Sequence, residues 1–73
     1  MTLLDLSLGE SSSVLKLDAE GADRRRLMDL GFIPGSRVEA LRRSPLGDPV
    51  AYRIRGAVIA LRRADAGRIH IDG

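Results

Sequence analysis

Apolar residues recur two apart over most of this chain and three apart over one short stretch, and the change of period divides it. The exceptional stretch is Arg24-Arg25-Arg26-Leu27-Met28-Asp29-Leu30. Leu27 and Leu30 share one helical face there, so the spacing predicts a short helix lying on a core. Asp23 is the expected N-cap, accepting from first-turn N–H groups. Gly31 suits the left-handed position beyond a helix end. Ile33-Pro34-Gly35-Ser36 then has proline and glycine where a type II turn requires them.

Elsewhere the period is that of strands. Residues 3 to 8 carry Leu3, Leu4, Leu6 and Leu8 with imperfect alternation, a turn or edge segment whose leucines plug one end of the core. Ser13 to Leu17 is a first strand, with Leu15 and Leu17 on one side and Val14 and Lys16 on the other. A second begins at Ser36, with Val38 and Ala40 together, and runs out at Arg42-Arg43-Ser44. Pro45-Leu46-Gly47-Asp48-Pro49 cannot continue a sheet and reads as a connection. Val50, Tyr52 and Ile54 alternate with Ala51, Arg53 and Arg55 in a half-buried third strand that Gly56 ends or bends. Residues 57 to 61 are apolar on both faces, which predicts a central strand. Ala64 to Gly67 is a single helical turn, and Ile69 and Ile71 face inward in a last strand. Five short strands in 73 residues predict one mainly β domain, a closed or nearly closed small barrel with one inserted helix and a late helical turn.

Composition narrows the function. Without cysteine there are no disulfides and no thiol chemistry, so packing must hold so small a domain together, which fits a cytoplasmic protein. No apolar run approaches the roughly 20 residues of a membrane span, and the N-terminus lacks the pattern of a signal peptide. The net charge is +2 and all the cations but Lys16 are arginines, which suit bidentate contact with carboxylate or phosphate. Arg24, Arg25 and Arg26 fall in the first turn of the predicted helix, where the macrodipole favours carboxylates, and Asp29 offers them a partner three or four residues on. That breach of local rules marks a contact surface as the functional alternative to solvated cover.

Catalysis is a poor fit: His70 is the single histidine, with no nucleophile near it in sequence. As a metal ligand it needs two or three further donors, and Asp72 alone shares its face. No cofactor is required, and what metal chemistry there is amounts to weak binding of a divalent ion such as iron or zinc. Arg37, Arg53 and Arg62 could neutralise phosphates, yet stacking aromatics are lacking: Tyr52 is expected to point inward, so nucleic acid is the runner-up and not the expected partner. Leu46 is the most telling feature. It is an apolar side chain at a loop tip held by Pro45, Gly47 and Pro49, with Asp48 in the loop and Arg43 at its rim, suited to anchor another protein at small entropic cost.

Arg25-Arg26-Leu27-Met28-Asp29-Leu30-Gly31-Phe32-Ile33-Pro34-Gly35-Ser36, then Pro45-Leu46-Gly47-Asp48-Pro49, Arg53-Ile54-Arg55-Gly56 and Ala60-Leu61-Arg62, resemble the FeoA family over nearly the whole chain. The resemblance implies a five-stranded SH3-like barrel with an inserted helix. It also implies a cytosolic accessory protein of bacterial ferrous-iron uptake that works with FeoB, which resembles a membrane permease joined to a cytosolic GTPase domain. Contact with the membrane would come through that partner alone. Docking is expected through the Pro45–Pro49 loop and the Arg24–Arg26 face, and Arg25 or Arg55 would be the arginine to touch a nucleotide phosphate. The same barrel resembles the C-terminal domain of DtxR-like repressors; here it begins near Met1, and a free-standing module is expected.

Overall fold

Two β-bulges and one two-residue turn coil the strands of this chain around a single core. The computed structural model describes residues 1–72. Strand β1 (Ser11–Leu17) is followed by helix α1 (Gly21–Asp29), strands β2 (Arg37–Arg43), β3 (Val50–Ile54) and β4 (Ala57–Leu61), the one-turn helix α2 (Arg63–Ala66) and strand β5 (Ile69–Ile71). All the pairings are antiparallel, in the order β4-β3-β2-β1-β5. The first half of β1 pairs with β2 and the second half with β5, the register slipping between Val14 and Lys16. That bulge turns Leu15 outward, 56% exposed, while Val14 and Leu17 are buried. Simple alternation had paired Leu15 with Leu17; the inserted residue shifts the phase. A second bulge, between Ala40 and Arg42, bends β2 over the same core. Among the described residues β4 and β5 are not paired, so the barrel is bent but its ladder stays open.

Before β1, Thr2 caps a 3₁₀ turn at Leu3–Asp5: its backbone N–H donates to Asp5 Oδ2 (2.9 Å) and its hydroxyl accepts from the Leu4 N–H. The turn aims Leu3 and Leu6 into the core with Leu27, Phe32, Val38, Tyr52, Ile54, Leu61 and Ile69. The Tyr52 hydroxyl donates to the Leu3 carbonyl (3.3 Å), so this plug and β3 are fastened at depth.

Helix α1 starts earlier than its arginines suggest. Glu20 is the N-cap, without a side-chain bond, and Asp23 lies in the first turn, where its carboxylate suits the helix dipole and accepts from Arg68 (3.4 Å). Arg24–Arg26 therefore occupy the middle of the helix, and the conflict with the dipole largely disappears. Past the end of α1, Gly31 has φ +111°, which requires glycine, and a Cβ there would lie 3.3 Å from Arg55 Cδ, so the Arg55 side chain would have to give way slightly. The Ile33–Ser36 turn forms as expected, with the Ser36 N–H donating to the Ile33 carbonyl (2.9 Å).

The placement of β4 overturns the expectation of a central strand. It is an edge: Ala57, Val58 and Ala60 are exposed, and Leu61 alone is buried. Small alanines on both faces had made it look buried, but they leave little bulk to bury. Arg55 belongs to no strand. With Gly56 it forms the two-residue turn between β3 and β4, and it is a non-glycine residue at positive φ (+51°).

Candidate functional site

The connection between β2 and β3 is built by its own backbone. The Ser44 N–H donates to the Pro49 carbonyl (3.1 Å), the Gly47 N–H to the Ser44 carbonyl (2.8 Å), and the Ser44 hydroxyl to the Asp48 carbonyl (2.7 Å). These bonds hold the loop in one shape, and Leu46 stands at its tip, 95% exposed. Asp48 faces the other way. Its Oδ1 accepts from the Arg63 N–H (3.0 Å), satisfying a donor at the start of α2 that the N-cap residue Arg62 leaves without a side-chain acceptor. In this structure Asp48 is thus engaged within the chain. Arg42, Arg43, Pro45, Pro49, Ala51 and Ala60 line a common depression at the foot of the loop.

Helix α2 ties this loop to α1. Asp65 on α2 accepts a 2.9 Å ion-paired hydrogen bond from Arg26, which replaces the pairing with Asp29 expected from spacing. The bond and the nearby carboxylate raise the Arg26 guanidinium pKa further, keeping it cationic. Among the described residues Arg24 and Arg25 enter no ion pair; with Met28 and Asp29 they line an open depression on the outer side of α1. Arg55 is set apart from the loop. It lies just beyond the far end of β3, about 20 Å along the chain from Pro49 at ~3.4 Å per residue, and packs on Gly31. The sequence therefore named two regions joined by α2, plus one arginine at the opposite end of the sheet. It missed the Arg26–Asp65 link and the open edge at β4, because both depend on long-range placement.

Electrostatics at the loop corner show in Tyr52. Burial pushes its phenol up, while Arg43 and Arg63 pull it down, so both cations act on the same spot beneath the loop. Phe32 and Tyr52, the two aromatic residues, are buried and offer no stacking surface to a nucleic acid. No three His, Cys, Asp or Glu side chains converge among the described residues, and His70 is half-buried in β5 opposite Thr2. No described helix is long and apolar enough to cross a membrane.

Comparison with known proteins matches this architecture. A profile of the FeoA domain fits residues 1–72. The Fe(2+) transport protein A/Fe(2+) transporter FeoB fusion protein of Porphyromonas gingivalis is 33% identical over 72 residues, which are 99% of this chain but 8% of that protein. FeoA of Chlorobium tepidum, solved in solution, is 41% identical with a TM-score of 0.90, covering 97% of this chain and 68% of that one. FeoA of Stenotrophomonas maltophilia, crystallised with zinc and described as a prokaryotic SH3 domain protein, is 34% identical with a TM-score of 0.86, covering 99% and 89%. The chain belongs to the FeoA domain family, a family of SH3-like accessory domains of ferrous-iron transport and not of enzymes.

Proposed function

We propose that this chain docks on a FeoB-type ferrous-iron transporter, at its cytoplasmic face, and biases that transporter without performing a reaction itself. One observation carries the reading: in the Porphyromonas gingivalis protein a sequence 33% identical to this one shares a polypeptide with FeoB, so the two work side by side there. The surface best suited to the contact is the β2–β3 loop. Leu46 is a fully presented apolar anchor on a loop held by internal hydrogen bonds, so little conformational freedom is lost on docking. Arg43 at the foot of the loop, and Arg24 and Arg25 on α1, supply cations for carboxylates of the partner. Pro45 and Gly47 shape the tip, while Asp48 secures it from behind. Binding of this kind alters a transporter only through different affinities for its conformations.

Leu46→Asp tests the reading. A side chain so exposed can be replaced with little effect on stability, so the melting temperature should stay within a few degrees. Ferrous-iron-dependent growth of a strain carrying the variant should fall to that of the deletion strain. Wild-type growth from a well-folded Leu46→Asp protein would remove the loop from the contact.

A further inference from the structure

Of the two edges of the sheet, β4 is the one left bare. Ala57-Val58-Ile59-Ala60-Leu61 has no charge, no proline and no bulge, and its register with β3 is unbroken. Natural edge strands usually carry at least one of those guards against pairing with another chain. Ile54 and Ala57 flank the two-residue turn and form its hydrogen-bonded pair, as do Tyr52 with Ile59 and Val50 with Leu61 further along. Val58 and Ala60 fall between them and direct their N–H and C=O groups away from β3. Val58 is also 52% exposed, and Ala60 shares the depression at the foot of the Pro45–Pro49 loop.

The charges around this edge choose its occupant. Arg55 precedes β4, Arg62 and Arg63 follow it, all are exposed, and among the described residues none is ion-paired. A second copy of the chain laid along β4, in either direction, would set cationic ends against cationic ends. A segment with carboxylates at its ends would meet them favourably. We infer that β4 takes up, as a sixth strand, an extended segment of a partner protein that is apolar in its middle and acidic at its ends. Backbone pairing to Val58 and Ala60 supplies the affinity and the flanking arginines set the preference for acidic ends. This surface stands independently of the Leu46 contact and of the identity of the transporter.

The test is a nitrogen-15 NMR titration of the full chain with acetyl-Glu-Val-Thr-Val-Thr-Val-Glu-amide and with its lysine-ended counterpart. Saturable shifts should centre on the Val58 and Ala60 amides, with the acidic peptide at least about tenfold tighter. Ala60→Pro deletes an outward N–H without touching the β3 ladder and should abolish binding; Val58→Glu, which repels the acidic ends and needs no backbone change, should weaken it if the proline variant fails to fold. No binding at millimolar peptide, shifts centred elsewhere, equal affinity for the lysine-ended peptide, or unchanged binding by a folded Ala60→Pro protein would each overturn the inference. So would a dimer in sedimentation that Ala60→Pro dissolves, since the occupant would then be a second copy.

Discussion

The two edge strands of this sheet differ in length, in burial and in what lies beside them. β5 has three residues, Ile69 and Ile71 are buried, and the N-terminal segment covers its outer side: the Ile71 N–H donates to the Met1 carbonyl (2.9 Å) and Thr2 bridges to His70. β4 has five apolar residues, most of them exposed, and no described segment lies along it. The N-terminal segment thus covers one edge against pairing with another chain. The other edge, together with the neighbouring Pro45–Pro49 loop, remains available to a partner. Apolar character thus means opposite things at the two ends of one sheet.

The sharpest way to break this contrast is to truncate one apolar side chain on each edge. Ile69→Ala should cost about 2–5 kcal/mol, as fully buried truncations do, whereas Val58→Ala should stay within about 0.5 kcal/mol, as exposed changes do. Urea denaturation measures both, and equal costs would mean that β4 is as structural as β5.

A smaller effect sits between the edges, where Asp48 holds the start of α2 on the path from β4 to β5. Asp48→Ala should remove about 1 kcal/mol, the usual scale for losing a carboxylate that satisfies a helix-start N–H. Exchange of the Arg63 amide should speed up with it. An unchanged Arg63 amide would show that the loop and α2 are not fastened together.

The smallest effect is one of pH. Tyr52 pairs with Ile59 of β4, and burial raises its phenol above the ordinary 10.0. In the unfolded chain that proton is lost first, so above about pH 10 the folded state holds more protons and stability declines with rising pH. The contribution is complete below pH 10 and lost as pH climbs through the raised value. Tyr52 is the one tyrosine, so ultraviolet absorbance reports it directly, and Tyr52→Phe should flatten this part of the alkaline profile.

Strand periodicity, turn chemistry and the motifs around Leu27 and Pro45 made most of this fold legible. Val38, Ala40, Tyr52, Ile54, Ile69 and Ile71 are buried as alternation requires, and Leu46 is exposed as its two prolines suggest. Leu15 went astray because a bulge is not written in alternation. β4 went astray because an apolar run reads alike in the middle of a sheet and at a bare edge. The role of Asp23 was misplaced by a helix that begins two residues before it, at Gly21. Of the candidate site, the loop was visible as a local pattern. The fastening of that loop to α1 through Asp48, α2 and Asp65–Arg26 joins residues distant in sequence, and no local pattern encodes it.

The most direct measurement is the affinity of this chain for the detergent-solubilised FeoB-type transporter of its own organism, for the wild type and for Leu46→Asp. The docking role requires saturable binding by the wild type and at least about tenfold weaker binding by the variant, a difference of about 1.4 kcal/mol. Equal affinities, or no binding by the wild type, would contradict it.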